Sequence, residues 1–230
     1  MYCPKPGFSF VGADYSQLEA RILAAISGDT VLLADCDAGI HARNAERLRV
    51  DKTRAKNGFY GWSYLGGAGT LQNTFKARGF AVTKRECEDL LRGFDTIYNV
   101  AASARQQILA EAQARRYVQN PFGLRRYFPN AKWPAPAAMS THIQSTGAIM
   151  MWTILPALEQ VYADNGGQLL LTVHDDVLGE VPSERKDATM RAVVEVMEQE
   201  FPEVAAGFRC PVTPKTSDLS WGEMQDVSLR

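Results

Sequence analysis

The sequence predicts an α+β fold in which helices back an antiparallel sheet and a helical segment is inserted after the first strand. Three observations indicate this class. A short strand opens the chain, long segments of helical periodicity follow it, and two hairpins with turn residues between apolar runs come later, each followed by a helix. The predicted order of elements is therefore strand, helices, hairpin, helix, hairpin, helix.

The first half of the chain is predicted to hold the first strand and most of the helices. Residues 8–14 (FSFVGAD) form a short strand with alternating aromatic residues. Residues 16–26 have helical spacing, with Ser16 as a candidate N-cap and Glu19 at capping-box distance from it. From about 38 to 114 the pattern is mostly helical, interrupted by the glycine-rich stretch YLGGAGT.

The second half is predicted to alternate hairpins with helices. Residues 115–129 indicate a hairpin around the turn NPFG. Residues 140–164 predict a long helix, kinked at Pro156. A second hairpin is expected over 168–182, followed by an amphipathic helix over 184–200.

The composition is that of a folded protein with no sign of a membrane segment or a disulfide framework. Among 230 residues 46% are hydrophobic, which is enough to bury a core. The four cysteines have no close spacing, so neither a zinc site nor paired disulfides are expected. No stretch is long and apolar enough to span a bilayer, and the N-terminus does not resemble a signal peptide. We therefore expect a cytoplasmic protein without membrane partners.

A basic stretch over residues 105–132 predicts a nucleic-acid-binding surface. It contains six basic residues and the single acid Glu111. Aromatic residues lie between the charges, as is typical of such surfaces. The alternative is an ordinary solvated helix face, which we favour for the acidic stretch over residues 180–203.

Two aspartates, Asp14 and Asp175, predict a metal site. Asp175 and Asp176 interrupt the apolar hairpin 168–182, where burying carboxylates is costly unless they bind something. Asp14 ends the first strand, and neighbouring strands of one sheet would bring it close to Asp175. Converging carboxylates suit Mg²⁺ or Mn²⁺, and two such ions about 3.5–4 Å apart can act in phosphoryl transfer. The alternative is that Asp14 and Asp176 are ordinary turn or loop residues.

One face of a predicted helix carries two lysines followed by two tyrosines. These residues stand four apart and are Lys52, Lys56, Tyr60 and Tyr64. Ammonium groups can bind phosphates, and a tyrosine can stack on a base. Gly58 and Gly61 are unfavourable inside a helix, so we expect a close approach to the backbone, by a nucleobase at Gly61. The alternative is an amphipathic helix with lysines that extend to solvent.

Three stretches resemble, in order, the sequence motifs of the family A DNA polymerases, the group of bacterial DNA polymerase I and many phage replicative enzymes. Residues 14–24 (DYSQLEARILA) closely resemble the first motif, residues 56–64 (KNGFYGWSY) the second, and residues 173–176 (VHDD) the third. Weaker similarities cover residues 39–45, 123–129 and 142–148. A fourth covers residues 218–224, which resemble the family's C-terminal strand. In having a tyrosine at position 60, the chain resembles the phage-like branch of the family.

The resemblance implies a polymerase palm and fingers. It assigns residues 1–27 to the first part of the palm, 28–130 to the fingers and 131–230 to the second part of the palm. The thumb, the upstream palm segment and any exonuclease domain are expected to be absent from this chain. We therefore expect an N-terminal partner chain that carries a thumb or exonuclease, in a bacterium or a phage-infected host cell; a minimal form or a truncation is the alternative.

The resemblance also implies a role for particular residues. Asp14, Asp175 and the backbone carbonyl of Tyr15 would hold two Mg²⁺ ions, with Mn²⁺ as a substitute, and Lys56 would join the two aspartates as a catalytic residue. The implied dNTP-binding residues are Tyr15, Gln17, Glu19, His41, Lys52, Lys56 and Tyr60. The implied primer–template residues are Arg21, Tyr64, Arg125, Arg126, Gln144, His174 and Asp176.

The function implied is templated DNA synthesis, in which Glu19 excludes the ribose 2′-hydroxyl. Departures from the family pattern include Lys52 in place of Arg, Asp176 in place of Glu and Leu65 in place of Gly. Two alternatives stay open: a non-catalytic nucleic-acid-binding relic and a metal-dependent nuclease that uses the same carboxylates. A primer–template incubated with Mg²⁺ and dNTPs separates them by elongation, no change or shortening.

Overall fold

The computed structural model describes residues 2–129 and 135–229 and confirms the predicted α+β class. The strands are β1 (Phe8–Tyr15), β2 (Tyr117–Gln119), β3 (Arg125–Tyr127), β4 (Gln168–Val173), β5 (Asp176–Pro182), β6 (Val212–Ser217) and β7 (Gln225–Asp226). The helices are α1 (Leu18–Ser27), α2 (Thr30–Asp37), α3 (Ile40–Leu48), α4 (Lys52–Ser63), α5 (Ala68–Ala77), α6 (Lys84–Ile97), α7 (Asn99–Arg115), α8 (Ala135–Asp164) and α9 (Lys186–Met197). Short 3-10 turns cover Ser183–Arg185 and Trp221–Glu223.

Five strands form one antiparallel sheet in the order β4-β5-β1-β6-β7, and β2 pairs with β3 in a separate hairpin. The predicted first strand and both predicted hairpins are thus confirmed. Strand β1 lies in the middle, and its Phe10, Val11 and Ala13 are fully buried. A central strand is apolar on both faces because the sheet is covered on both sides there. Asp14, near the end of β1, therefore stands where the buried strand meets solvent.

The chain divides into two compact units, one built on the sheet and one of helices. The sheet unit comprises Met1–Leu18 and Gly147–Arg230, and the helical unit comprises Glu19–Thr146. The palm and fingers boundaries implied by the resemblance stay a prediction. The predicted boundary after residue 130 and the basic-stretch residues Lys132 and Trp133 lie outside the described residues.

Aromatic side chains form the core of the helical unit. Phe59 and Trp62 from α4 pack against Phe94 and Tyr98, with ring centroids 5.7–6.1 Å apart. All four are at most 2% exposed. Aromatic rings at these separations gain stability beyond the area they bury. This cluster holds α4 in place and so fixes the direction of its lysine face.

Arg105 belongs to this core, which corrects the predicted extent of the basic surface. Its side chain is 3% exposed and its guanidinium carbon lies 4.1 Å from the centroid of the Trp62 ring. Burial lowers the pKa of Arg105 to about 10, and Asp95 opposes that shift. A cation stacked on a buried indole is part of the packing, so the basic surface does not extend back to residue 105.

The glycine at position 58 has a packing role that the sequence did not reveal. A Cβ there would lie 2.7 Å from Leu90 Cδ2 and 3.0 Å from Phe94 Cε2, both on α6. The lack of a side chain lets α4 and α6 approach closely. At Gly61 a Cβ would meet Leu71 Cδ1 at 3.3 Å, so packing against α5 also borders this second glycine. Whether a nucleobase approaches Gly61 stays a prediction.

In the sheet unit, α8 packs on the sheet through Tyr162. The Tyr162 side chain is fully buried, and its hydroxyl donates a hydrogen bond to the carbonyl oxygen of Val11 at 2.9 Å. A Cβ on Gly179 of β5 would lie 2.3–2.6 Å from atoms of the Tyr162 ring. Glycine at 179 is therefore required by the ring that lies against the strand.

We expect Gly179→Ala to lower the free energy of unfolding by about 2 kcal/mol, because the new methyl group overlaps a buried ring that has no room to move. Gly222→Ala is the matched control, since a Cβ there would have nothing within 4 Å, and it should change stability by less than about 0.5 kcal/mol. The midpoint of urea unfolding measures both. Equal midpoints for the two variants would contradict the packing argument.

Some element boundaries differ from those predicted. Helix α1 begins at Leu18, two residues after Ser16, and Ser16 Oγ lies 3.1 Å from Thr213 Oγ1. Helix α8 begins at Ala135, earlier than predicted, and continues through Pro156. The segment 218–224 is not a strand: β6 precedes it, and a 3-10 turn lies within it.

Two other predictions can be compared with the structure. In the part of the chain that is described, no helix is both long enough and apolar enough to cross a membrane. None of the four cysteines forms a disulfide: Cys3 is exposed, and Cys36, Cys87 and Cys210 are buried.

Candidate active site

The sheet register brings two of the predicted aspartates face to face. Asp14 of β1 is directly opposite Asp176, the first residue of β5. Directly opposite residues on antiparallel strands point to the same side of the sheet and have closely spaced Cβ atoms. His174 and Asp175 form the two-residue turn between β4 and β5, and the Asp175 carbonyl accepts a hydrogen bond from the Tyr15 amide at 3.3 Å. The three aspartates therefore converge on one end of the sheet.

A lysine outside all of the predicted motifs lies between two of these aspartates. Lys215 Nζ is 3.4 Å from Asp14 Oδ2 and 3.6 Å from Asp176 Oδ2. Burial raises the pKa of Asp176, and the Asp14 charge adds to that effect while Lys215 opposes it. Burial alone works to lower the pKa of Lys215, but the carboxylates of Asp176 and Asp14 outweigh it and raise that pKa. The carboxylates thus stabilise the charged form of Lys215, whereas burial makes the charged form of Asp176 less favourable.

The donor set fits a cation that completes its shell with other ligands. Among the described residues, no group of three or more His, Cys, Asp or Glu side chains is close enough to hold a metal alone. Mg²⁺ in phosphoryl-transfer sites is characteristically bound by one or two carboxylates, with water and substrate phosphates as the other ligands. Partly exposed carboxylates at Asp14 and Asp176, with Asp175 next to them, match that pattern.

Backbone strain occurs next to these aspartates. His174 has φ 58° and Gln17 has φ 57°, both in the left-handed region that non-glycine residues rarely adopt. His174 directly precedes Asp175, and Gln17 follows Tyr15 by two residues. Strained residues of this kind concentrate at functional sites, where surrounding contacts hold them in place. Both segments that carry the aspartates have such a residue.

In the helical unit, α4 presents the predicted row of cations and a tyrosine. Lys52 and Lys56 are exposed, and Tyr60 is half-buried one turn further on. Tyr64 follows the last helical residue as the C-cap. The helix begins after Asp51, whose side chain accepts a hydrogen bond from the Arg54 amide. The predicted common face of these residues is therefore present as far as Tyr60.

Next to this row lies a buried histidine with unused hydrogen-bonding capacity. His41 is 7% exposed, and its ring centroid lies 5.8 Å from that of Tyr60. Neither ring nitrogen has a hydrogen-bond partner within residues 2–129 and 135–229. Burial lowers the pKa of His41 to about 4, and the charges of Lys56 and Lys52 contribute further. A neutral imidazole without partners is costly to bury unless a ligand satisfies it.

Three more predicted residues meet in the helical unit. Gln144 Nε2 donates a hydrogen bond to Glu19 Oε1 at 3.4 Å. Burial raises the pKa of the Tyr64 phenol, and the nearby Glu19 carboxylate raises it further. The structure thus brings Glu19, Tyr64 and Gln144 together, although they are distant in the sequence.

The predicted arginines are in different surroundings. Arg21 is 5% exposed and forms an ion pair with Asp37 at 2.8 Å. Arg125 and Arg126 are exposed on β3: Arg125 Nε donates to Gln119 Oε1 at 2.6 Å, and Arg126 Nη1 donates to Thr141 Oγ1 at 2.8 Å. The hairpin arginines are therefore accessible to a nucleic acid backbone, whereas Arg21 is mostly enclosed. The DNA-binding roles of all three stay predictions.

The comparisons with known proteins identify the family of this chain. The chain belongs to DNA polymerase family A, whose sequence model matches residues 1–223. It is 29% identical to the thermostable DNA polymerase I of Thermus aquaticus over 87% of this chain and 26% of that protein. It is 28% identical to the DNA polymerase of Mycobacterium phage D29 over 95% of this chain and 36% of that protein.

A solved structure has the same fold. The POL domain of Pol1 from M. smegmatis, in complex with DNA primer-template and dNTP, superposes with a TM-score of 0.81 at 23% identity, covering 94% of this chain and 41% of that one. The chain thus spans about a quarter to a third of the length of the Thermus and phage D29 polymerases.

Proposed function

We propose that this chain provides the catalytic palm and the fingers of a DNA-templated DNA polymerase. The observation that carries the proposal is the register of the sheet, which sets Asp14 opposite Asp176 and beside the Asp175 turn. Family membership supports the same conclusion. The chemistry required is attack of a primer 3′-hydroxyl on the α-phosphate of a dNTP, with pyrophosphate as the leaving group.

Asp14, Asp175 and the backbone carbonyl of Tyr15 are the proposed ligands of two Mg²⁺ ions. When bound, such ions lower the pKa of the attacking hydroxyl and neutralise charge on the leaving group. The role of the protein is to hold its carboxylates in place before substrate arrives. In this proposal the β1–β5 pairing sets the position of Asp14, and the strained His174 turn sets that of Asp175.

The lysine face of α4, together with His41, is the proposed triphosphate-binding surface. Lys52 and Lys56 are exposed cations, and the unpartnered nitrogens of His41 lie close enough to their charges for its pKa to be lowered. A triphosphate would neutralise the lysines and accept a hydrogen bond from His41, which removes the cost of burying that ring. Tyr60, beside His41, would stack on the incoming nucleotide.

Glu19 is the proposed sugar-selecting residue. Its carboxylate is held by Gln144 and lies beside Tyr64, so it has a defined position. We expect Glu19→Ala to reduce the preference for dNTP over rNTP about tenfold, because the space for a 2′-hydroxyl opens. Single-nucleotide incorporation assays with paired dNTP and rNTP measure the ratio of kcat/KM.

The control for this experiment is Glu88→Ala, which removes a partly exposed glutamate of α6 that pairs with Lys84 at 3.8 Å. It should leave the sugar preference unchanged. An unchanged preference in Glu19→Ala as well would show that another residue selects the sugar.

A thumb-bearing N-terminal polymerase chain is the proposed partner. Primer-template DNA and dNTPs are the proposed substrates. Phosphate contacts supply much of a protein's affinity for duplex DNA, so a partner that contacts more of the duplex would strengthen binding. Adding the thumb-bearing chain should therefore increase primer extension at low enzyme concentration. No increase would favour a form that acts without such a partner.

A labelled primer-template incubated with Mg²⁺, with and without dNTPs, tests the proposed activity. Elongation that needs dNTPs supports it. Binding without any change of length would support a nucleic-acid-binding relic, and shortening would support a nuclease.

A further inference from the structure

Lys215 lies beside the proposed metal ligand Asp14, although no part of the proposed chemistry uses this lysine. Its ammonium is within 3.6 Å of carboxylate oxygens of both Asp14 and Asp176. These separations exceed the roughly 2.7–2.9 Å of a tight charge-assisted hydrogen bond. The lysine therefore balances the charge of both carboxylates without being locked to either one.

The backbone of Lys215 is fixed, so only its side chain can respond when another cation arrives. Strand β6 pairs with β1 on one side, with Lys215 opposite Gly12, and with β7 on the other side, with Lys215 opposite Asp226. The directly opposite pairing puts Asp226 on the same side of the sheet as Lys215. Asp226 is exposed, and its charge already acts on Lys215. Lys215 thus has acidic groups on two sides.

We propose that Lys215 is an internal counter-ion that neutralises the Asp14–Asp176 pair in the metal-free protein and moves toward Asp226 when a divalent cation binds. The proposal rests on the proposed function, since Asp14 is one of the proposed metal ligands. In the metal-free state the ammonium prevents two like charges on opposite strands from repelling each other. With a divalent cation present the ammonium and the cation repel, and Asp226 receives the displaced charge. Lys215 is accordingly a positioning residue that sets the metal affinity of the site.

Mn²⁺ binding to the full chain, without DNA or nucleotide, tests this role independently of catalysis. The electron paramagnetic resonance signal of free Mn²⁺ gives the dissociation constant. We expect Lys215→Met to bind Mn²⁺ about tenfold more tightly than the wild type, a change of about 1.4 kcal/mol, because no competing cation has to be displaced. Lys215→Arg, which keeps the charge, should not bind more tightly.

Lys186→Met is the matched control. Lys186 is in the same unit and pairs with Asp218 at 3.0 Å, and Asp218 accepts a hydrogen bond from Ser9, near the other end of β1 from Asp14. Its loss therefore removes the same charge at a distance from the proposed ligands. Its Mn²⁺ affinity should stay within about twofold of the wild type, since separated surface charges are screened by salt. Equal gains in Lys186→Met and Lys215→Met would overturn the proposal in favour of a general charge effect.

Asp226→Asn provides a second variant in which Lys215 is intact and only an exposed side chain changes. It should bind Mn²⁺ about threefold more weakly, because the displaced lysine loses its alternative partner. Unchanged or tighter binding in Asp226→Asn contradicts the proposed movement, and unchanged or weaker binding in a folded Lys215→Met contradicts the proposed competition. If Lys215→Met does not fold, Asp226→Asn decides.

The same titration distinguishes failure of the metal site from failure of the role of Lys215. Loss of Mn²⁺ binding in Asp14→Asn shows that the signal comes from this site. If neither the wild type nor Lys215→Met binds Mn²⁺, the metal assignment of the proposed function fails together with this inference. If the wild type binds through Asp14 and Lys215→Met binds equally well, only the inference about Lys215 fails.

Discussion

Asp14→Asn and Asp175→Asn are each expected to reduce Mg²⁺-dependent primer extension roughly a thousandfold. The amide keeps the size of the side chain but removes the negative charge on which the proposed metal binding depends. Single-turnover extension of a labelled primer, at saturating dNTP and with the thumb-bearing chain present if the wild type requires it, measures the effect. The fold should survive, because both side chains are at the solvent-exposed end of the sheet.

Asp164→Asn is the control for both variants. Asp164 is the last residue of α8, is exposed, and accepts a hydrogen bond from Gln160 one turn earlier in the same helix. Its amide variant loses the same charge and should extend primers at the wild-type rate. Wild-type activity in Asp14→Asn or Asp175→Asn would show that the residue does not bind a required metal, and the proposed mechanism would then fail.

The sheet was predictable because its signals are local. The alternation of residues 8–14 and the apolar run around 168–182 specify strands wherever they occur. The local pattern does not specify the register in which the strands pair. The sequence pattern predicts that Asp14 lies close to Asp175. The pairing of β1 with β5 instead sets Asp14 opposite Asp176 and leaves Asp175 in the turn. A shift of one residue in register would reverse this, and only the complete packing of the sheet selects the register.

Lys215 was missed for a related reason. It lies about two hundred positions after Asp14 in a short strand without a recognisable motif. Pairing of β6 with β1 is the sole reason that its side chain reaches the aspartates. Contacts between strands distant in sequence depend on topology, which neither composition nor periodicity determines.

In the helical unit the sequence did contain local signals, but a basic residue was consistent with either an exposed or a buried position. The spacing of Lys52, Lys56 and Tyr60 correctly predicted a common helix face. The basic residue Arg105 was counted toward a nucleic-acid surface, yet it stacks on Trp62 inside the core. A charge pattern does not distinguish an exposed arginine from one buried on an aromatic ring, because burial is decided by the surrounding helices.

Lys56→Ala is expected to lower kcat/KM for dNTP incorporation about a hundredfold, because a charge-assisted contact to a developing phosphate charge is lost. Lys52→Ala should have a smaller effect. Lys56 lies one turn of α4 from Tyr60 and Lys52 lies two turns away, so Lys56 is nearer to the proposed nucleotide position. Steady-state incorporation of a single nucleotide measures both variants.

The same substitution has a second readout that does not depend on catalysis. Loss of the Lys56 charge should raise the pKa of His41 from about 4, although burial, the larger cause, keeps it below that of a free histidine. Titration of the His41 ring protons by NMR measures this shift in the nucleotide-free protein. Lys76→Ala removes an exposed lysine of α5 and should change neither quantity. If Lys56→Ala raised the pKa of His41 but left kcat/KM unchanged, the lysine would be close to the histidine without contacting the nucleotide, and the triphosphate site would have to lie elsewhere in the fingers.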